Sequence, residues 1–203
     1  MHFNQFPPLR QRGATLLFML CIVVLLMLMG VSAVRTALNA ERSARGDRDR
    51  HIALQSAEAA LDDAERDIEG GSNPASPRAG LFDPGNSEGF APGCGGGANN
   101  PALGLCLHMP NAATPVWQID GLADAATRSV PFGRFTGAAM PYGGGALPAK
   151  LPRYLIERMP YPVAGHDASR QPGSFYRITA IGFGASETTC VVLQSYYLKR
   201  ELA

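Results

Sequence analysis

The sequence predicts an α+β protein in which a long N-terminal α-helix, membrane-spanning in its first half, packs on a C-terminal antiparallel β-sheet. Three observations lead to this prediction: an uncharged apolar run, a helical pattern that continues from it, and strand-like segments in the last quarter of the chain. The chain has 203 residues, of which 46% are hydrophobic and 17% are charged. That composition suits one modest domain with an appendage better than two full domains.

The apolar run at residues 14–34 contains no charged side chain. At about 1.5 Å per residue, a helix of this length covers the roughly 30 Å hydrocarbon core of a bilayer. A cleavable secretory signal has a shorter apolar region of about 7–15 residues, followed by a small-x-small cleavage site. Here "VSAVRTALNAERSAR" instead continues the run directly as a helical pattern. We therefore predict a transmembrane span that is retained, with removal after "VSA" as the alternative.

The arginines that flank the span bear on its orientation, because Lys and Arg near membrane ends favour the cytoplasmic side. Two arginines precede the span and five follow it. They are Arg10 and Arg12 before it, and Arg35, Arg42, Arg45, Arg48 and Arg50 after it. This count alone places the C-terminal part of the chain in the cytoplasm. Long domains are translocated despite such charges, so the orientation needs independent support.

The helical pattern extends past the span to residue 69. Apolar residues recur at intervals of three and four, which places them on one helical face. They are Leu54, Ala57, Leu61, Ala64 and Ile68. We expect this face to pack on the C-terminal sheet and the charged side chains of the other faces to meet water. The charged set includes Asp62, Asp63, Glu65 and Asp67.

The end of this helix is marked by Gly70 and Gly71, with Pro74 soon after. An unbroken helix from residue 14 to residue 68 is on the order of 80 Å long. A compact domain of this size cannot enclose it. About half of the helix must therefore protrude or cross a membrane.

Composition divides the rest of the chain into two regions. Residues 70–145 are rich in Gly, Pro, Asn and Ala and predict a variable, irregular loop region. Inside it we expect a short strand at residues 116–119 and a helical turn near residues 122–127. Residues 146–203 are predicted to supply the antiparallel strands, because they hold segments rich in β-branched and aromatic residues. The predicted strands are 153–159, 174–183 and 188–198, with "GFGASE" as the hairpin connection between the last two.

Four cysteines are present, and two of them flank the most Gly-rich part of the loop region. In an oxidising compartment a Cys94–Cys106 disulfide would stabilise that loop by about 2–4 kcal/mol. In the cytosol the same two residues would be unpaired thiols. Cys190 is expected to be a small buried strand residue, and Cys21 lies inside the span. No Cys-x-x-Cys pair or clustered His accompanies them, so we expect no zinc.

One catalytic motif is matched, but its surroundings do not fit. "GNSEG" at residues 85–89 fits G-x-S-x-G, which needs its Ser on a sharp strand-to-helix turn with a later acid and His. Here Pro84 precedes the motif and no strand leads into it. His108 and His166 follow in Pro- and Gly-rich surroundings, so Ser87 is interpreted as a chance match. We expect no catalytic residues, no metal and no cofactor, and the net charge of +1 gives no nucleic-acid footprint.

The front of the chain resembles the N-terminus of type IV pilus minor pilins of the PilX family. The segments that carry the resemblance are "RQRGATLL", "VRTALNAER" and "LQSAEAAL". The tail "YRITAIGFGASETTCVVLQSYY" is similar to the C-terminal strands of that family. The resemblance covers residues 10–69 and 175–197. It implies a pilin-like fold and a structural role without catalysis.

By this resemblance, residues 1–13 are a prepilin leader. A prepilin peptidase cuts after Gly13 on the cytoplasmic side, and the new N-terminus at Ala14 is methylated. The apolar helix then lies in the inner membrane and later packs among other pilin helices in the fibre core. A helix that is apolar all round suits both surroundings. The family topology also places the head in the periplasm, which favours the disulfide.

The fifth mature position departs from the general pilin pattern. Pilins usually carry Glu there, whereas this chain has Phe18. A carboxylate in hydrocarbon is costly and persists where it has a partner. PilX-type pilins commonly lack it and are assigned to tip or initiation complexes. The resemblance thus implies a cell-surface pilus subunit that supports assembly, twitching motility and adhesion. The implied partners are other minor pilins, the major pilin and a tip-associated adhesin.

Two alternatives stay open at this point. A K-type minor pseudopilin of a type II secretion system would share the same helix, and gene neighbourhood would separate it from a pilus subunit. A membrane-anchored periplasmic binding module or hydrolase would have an ordinary, uncleaved anchor. That reading predicts that a bulky residue is tolerated at Gly13 and that Ser87→Ala matters.

Overall fold

In a computed structural model, the chain divides into two compact units, Met1–Gly46 and Asp47–Ala203. We call the second unit the head. The described residues are 14–70, 76–78, 80–83, 86–112, 114–118, 122–123, 128–160 and 174–199.

Helix α1 runs from Ala14 to Ile68, a length of 55 residues, as the sequence predicts. Its part in the first unit is apolar as far as Val34. Two hydroxyl groups of α1 in the first unit bond to the preceding helical turn. Ser32 Oγ donates to the Leu28 carbonyl at 2.9 Å, and Thr36 Oγ1 donates to the Ser32 carbonyl at 3.0 Å. Such bonds to the preceding turn let polar side chains remain in an apolar helix.

The head contains one sheet, whose main strands follow the prediction. Among the described residues its five strands are β1 (Leu105–Leu107), β2 (Val130–Pro131), β3 (Arg153–Met159), β4 (Ser174–Phe183) and β5 (Cys190–Lys199). The strand order is β1-β3-β4-β5, and β2 pairs with β3. β3, β4 and β5 are antiparallel neighbours, and the β4–β5 hairpin closes with the pair Phe183–Cys190. The predicted fold class is confirmed.

The sheet is mixed, however, because β1 runs parallel to β3. The purely antiparallel sheet of the sequence prediction needs this correction. β1 has three residues and follows the Gly-rich loop, so its sequence is too short to show a strand period. The register places Leu105 opposite Ile156 and Leu107 opposite Arg158.

The predicted strand at residues 116–119 is wrong over its described part. Val116–Gln118 forms a 3-10 turn, in which Gln118 N donates to the Pro115 carbonyl at 2.9 Å. A proline just before a segment fixes a backbone angle suited to a turn, and this outweighs the strand preference of valine. Leu122 and Ala123 lie in a bend, and the rest of the predicted helical turn lies outside the described residues.

Two groups of buried side chains lie on opposite faces of the sheet. The first lies between α1, the loop region and one face; it includes Ala60, Ala64, Ile68, Phe82, Phe90, Leu105, Tyr154, Ile156, Tyr176, Ile178 and Ala180. The second lies on the other face and comprises Cys106, Val116, Leu122, Leu155, Ile181 and Phe183. The loop region therefore contributes to both cores, and the sheet separates them.

Candidate functional site

The apolar half of α1 is one candidate functional surface. Its large apolar side chains are exposed, from Leu16 at 80% to Val23 at 46%. Within the described part of the chain, α1 is the one helix long and apolar enough to cross a membrane. A helix that is apolar all round is stabilised by lipid or by other apolar helices. This segment is thus a candidate membrane anchor.

The expected processing junction includes the first residue of this helix. Ala14 is the first residue of α1, and Gly13 lies outside the described residues. Phe18 is 66% exposed and belongs to the continuous apolar surface. No charged side chain lies between residues 14 and 34. The span therefore has no carboxylate at Phe18, the fifth position after Gly13.

In the head, the predicted apolar face of α1 lies at the helix–sheet contact. Ala57, Ala64 and Ile68 are fully buried, whereas Leu54 and Leu61 are half-buried. Leu61 packs against the core on the helix side of the sheet. The fully buried residues of this predicted face are therefore two alanines and Ile68, and the leucines lie at its margin.

The close approach of helix and sheet depends on a glycine in β4. A Cβ at Gly182 would lie 2.2 Å from the Ala53 carbonyl oxygen and 2.2 Å from the Ala57 amide nitrogen. Both are backbone atoms, which cannot rotate aside as a long side chain can. Because Ala53, Ala57 and Gly182 are small, the backbone of α1 lies in direct contact with β4.

Two carboxylates of α1 are buried, although the sequence pattern predicts that they face water. Asp63 is 0% exposed and Asp67 is 4% exposed, so that prediction is wrong for these two residues. Asp62 is exposed and Glu65 is half-buried. The physical reason is that residues of the loop region donate hydrogen bonds to both carboxylates, and Tyr154 of β3 donates a further one to Asp67.

The Asp67 carboxylate joins three parts of the head. Its Oδ2 accepts a hydrogen bond from Arg78 Nη1 at 2.6 Å and one from the Tyr154 hydroxyl at 2.9 Å. Burial raises the pKa of Asp67 to about 6, although Arg78 and the Tyr154 hydrogen bond oppose the rise. Burial also raises the pKa of Tyr154 well above its usual value, so this hydroxyl remains a donor at neutral pH.

Arg78 anchors the loop region at the end of α1. Its side chain is almost fully buried, and Nη2 donates to the Leu103 carbonyl. The guanidinium carbon lies 3.6 Å from the centre of the Phe135 ring, a favourable cation–π position. Asp67, Leu103 and Phe135 come from separate segments, so this one side chain ties them together.

Asp63 performs a similar role one helical turn earlier. Its Oδ2 accepts a hydrogen bond from the Gly133 amide at 2.7 Å, and Oδ1 accepts one from the Thr136 hydroxyl. Gly133 has a φ of 75°, in the left-handed region that favours glycine. The buried carboxylate therefore fixes a tight turn of the loop region against the helix.

Cys94 and Cys106 form a disulfide, which confirms the predicted pairing. Cys106 is a buried residue of β1, and Cys94 lies in the Gly-rich loop. Backbone pairing supports the same loop, since Gly95 N donates to the Leu105 carbonyl at 3.0 Å and Gly104 N donates to the Gly95 carbonyl at 3.0 Å. The loop is thus linked covalently to the sheet. The region predicted to be irregular loop is thus fixed to the helix through Arg78, Gly133 and Thr136 and to the sheet through the disulfide.

Comparison with protein families matches both ends of this architecture. Residues 12–62 match the family described as PilX N-terminal, and residues 92–199 match the family described as type IV pilus assembly protein PilX C-term. The second match alone covers more than half of the chain. The chain belongs to the PilX family. Comparisons with curated proteins and with solved structures found no match.

Membership of the PilX family explains the two parts of the architecture. The N-terminal match includes the apolar part of α1 and the start of its buried face, and the C-terminal match includes all five strands and the disulfide. The chain is therefore a type IV pilus minor pilin, a structural component that associates with other pilus components. Its apolar helix is the candidate anchor of such a subunit.

The hydrolase motif does not form a catalytic arrangement among the described residues of this PilX-family protein. Ser87 is exposed, and its carbonyl accepts a hydrogen bond from Phe90 N at 3.3 Å. His108 Nδ1 lies 2.7 Å from Glu157 Oε1, and no hydrogen bond joins Ser87 to His108 in the described part of the chain. His166 lies outside that part. The described residues also hold no cluster of three or more His, Cys, Asp or Glu that could bind a metal.

Glu157 is instead a buried carboxyl group held by two side chains, Arg177 and His108. It is 5% exposed, and its Oε2 accepts a hydrogen bond from Arg177 Nε at 3.0 Å, while His108 contacts Oε1. β3, β4 and the segment after β1 each supply one of these side chains. The cluster joins neighbouring strands of the sheet, and it was not recognised in the sequence because its members are far apart in the chain.

The two free cysteines of the PilX-family protein, among the residues described, are both exposed. The prediction that Cys190 is buried is wrong. Cys190 is the first residue of β5, at the hairpin end of a strand at the sheet edge, where no further described strand covers it. Cys21 lies on the apolar surface of α1, as its position in the span predicts.

Proposed function

We propose that this PilX-family minor pilin belongs to the tip or initiation complex of a type IV pilus. In this proposal, a prepilin peptidase cuts between Gly13 and Ala14, the Ala14 amine is methylated, and the mature helix moves from the inner membrane into the fibre core. The subunit supports pilus assembly, twitching motility and surface adhesion. The N-terminal family match begins at residue 12 and so includes the junction that would be cut.

The observation that carries the tip assignment is Phe18. A carboxylate at this depth would need a partner, such as the free N-terminus of a neighbouring subunit. Phe18 is apolar and 66% exposed on α1, so it has no charge to neutralise. A subunit with this helix can pack against others through apolar contact alone. It is therefore suited to a position that has no subunit in front of it, namely the tip.

The disulfide supports a periplasmic and then extracellular head. Disulfides persist in oxidising compartments, which include the periplasm and the cell surface. The Cys94–Cys106 bond fixes the Gly-rich loop, and such a bond is lost in a reducing cytosol. The five arginines after the span favour the opposite orientation, so the charge rule and the disulfide disagree. The proposed orientation follows the disulfide, because long domains are translocated despite nearby arginine.

The proposed partners follow from the apolar half of α1 and from the head. The apolar half of α1 would contact the helices of the major pilin and other minor pilins. The head would contact other minor pilins and a tip-associated adhesin. Membrane-embedded prepilin peptidase would act before assembly, while the apolar helix still lies in the inner membrane.

The tip assignment is tested by subunit counting in a bacterium that carries this chain. Pili are sheared from the cells, and quantitative mass spectrometry gives the ratio of this chain to the major pilin. We expect a few copies per fibre, and loss of surface pili and twitching when the chain is deleted. A copy number comparable to that of the major pilin would overturn the tip assignment. If the deletion strain kept its pili but lost protein secretion, the chain would serve a secretion system instead.

A further inference from the structure

We infer that the surface of α1 at the C-terminal end of the span binds one anionic phospholipid, with its phosphate at Arg35 and Arg42 and an acyl chain along the groove beside Gly30. The inference concerns the subunit while it is in the membrane. It rests on the membrane anchor and not on the proposed position at the pilus tip.

The groove lies on the apolar helix itself. Its lining residues are Met27, Gly30, Val31, Val34 and Arg35. Gly30 has no atom within 4 Å of the place where a Cβ would be, so the glycine leaves an open notch in the helix surface. Four of the five lining residues are apolar, and the fifth is a cation at the end nearer the head. An apolar notch that ends at a cation matches the chemistry of a lipid with an anionic headgroup.

Arg35 lies at the depth of the lipid headgroups. It directly follows Val34, the last residue of the uncharged run. The headgroup layer on each side of a bilayer is about 5–8 Å thick. Cα–Cβ bonds in a helix tilt toward the N-terminus, which here is the direction of the membrane core. An arginine just past the span can therefore lay its stem along the apolar surface while its guanidinium meets a phosphate.

Arg42 lies on the same side of the helix as Arg35. Seven residues correspond to nearly two complete turns, so the two side chains differ by about 20° around the axis and about 10 Å along it. The N-terminal tilt brings the Arg42 side chain back toward the headgroups. Neither Arg35 nor Arg42 has an acidic partner among the described residues. Arg45, in contrast, is paired with Glu41 Oε1 at 2.5 Å.

Anionic lipid is favoured over an acidic protein partner by position. The two arginines continue directly from the apolar groove, so any occupant must present an apolar chain and a negative charge in succession. Polybasic segments next to a membrane span attract anionic lipids, and each arginine near the surface strengthens binding about fivefold. An acidic loop of another protein would fit the arginines but would leave the apolar notch unfilled.

The test uses the full chain reconstituted in bilayers of phosphatidylcholine and phosphatidylglycerol in equal parts. Spin-labelled phosphatidylglycerol and spin-labelled phosphatidylcholine are added in separate samples, and electron paramagnetic resonance gives the fraction of each label that the protein immobilises. We expect the wild type to prefer phosphatidylglycerol. Arg35→Gln and Arg42→Gln should each lower that preference about fivefold, and the double variant should lower it further than either single variant. Gly30→Leu keeps both charges but should reduce the immobilised phosphatidylglycerol by filling the notch.

The matched control replaces two other exposed arginines of the same chain, Arg48→Gln and Arg50→Gln, which lie in the head unit. It removes the same net charge and should leave the preference unchanged. An equal loss in the control would show that net charge alone attracts the lipid and would overturn the site. An unchanged preference in the Arg35/Arg42 double variant would overturn it as well. If that variant kept its lipid preference but lost co-purification with other minor pilins, the arginines would serve a protein partner, and the lipid site would be overturned.

Discussion

Gly182→Ala tests the packing of α1 on the sheet most sharply. The added Cβ would lie 2.2 Å from the Ala53 carbonyl oxygen, 2.2 Å from the Ala57 amide nitrogen and 2.8 Å from the Ala57 Cα. All three are backbone atoms of one helix segment. The overlap cannot be relieved by a change of rotamer, so either the helix or the strand must move.

The expected cost follows from that displacement. An ordinary contact distance of about 3.4 Å requires the helix backbone to withdraw by roughly 1 Å, which weakens neighbouring contacts along the whole buried face. Overpacking a core typically costs about 1–3 kcal/mol. Because the obstacles are backbone atoms, we expect the upper end, about 3 kcal/mol, or a melting temperature lower by roughly 6–12 °C for a head of this size.

The assay is thermal and urea unfolding of the detergent-solubilised chain, followed by fluorescence of its single tryptophan, Trp117. Trp117 lies in the 3-10 turn of the head and is half-buried, so its emission reports on head unfolding. Gly46→Ala is the matched control, because no atom lies within 4 Å of the added Cβ and alanine favours a helix by about 1 kcal/mol. A Gly182→Ala variant as stable as the wild type would refute the direct contact of α1 with β4.

Two further predictions concern the head. Asp67→Asn removes a carboxyl whose pKa is raised from 3.8 to about 6 by burial. The folded head binds this proton more tightly than the unfolded chain does. The stability that the bound proton contributes is therefore complete below the ordinary pKa of Asp67 and is lost as the pH rises through about 6. The unfolding free energy should fall by at most about 3 kcal/mol over this range. Urea unfolding at several pH values should show this fall in the wild type and not in Asp67→Asn; a stability difference independent of pH would contradict it. Replacing both Cys94 and Cys106 by Ser should lower the unfolding free energy by about 3 kcal/mol through the entropy of the opened loop, whereas Cys190→Ser should have little effect. The same urea titration measures both, and a wild type unaffected by reductant would show that the disulfide contributes no stability.

The helix and the three long strands could be predicted because their patterns are local. Each element is indicated within one stretch of chain: the helix by the uncharged run and by the spacing from Leu54 to Ile68, and the strands by β-branched segments. β1 could not be predicted, because it has three residues and is a strand only through its pairing with β3. The 3-10 turn at Val116 has a strand-like sequence, because valine is a strong strand former, but Pro115 favours the turn.

The buried polar contacts could not be predicted, because each joins segments that no local sequence pattern relates to one another. Asp67 and Arg78 are close in sequence but are separated by the helix end, and Tyr154 comes from a strand much later in the chain. An acidic residue on a helix usually faces water, and sequence alone does not show which one meets a buried arginine. The disulfide was easier to predict, since the two cysteines flank one loop. Its formation still depended on the compartment, which the family resemblance supplied.

The most important expectation is that the apolar helix stays in the mature chain after cleavage between Gly13 and Ala14. The most direct measurement incubates the full chain with a prepilin peptidase in detergent, supplies a methyl donor and determines the mass of the N-terminal peptide. We expect loss of residues 1–13 and a new N-terminal Ala14 that carries a methyl group. An intact N-terminus, or a cut after "VSA" that removes the span, would contradict it.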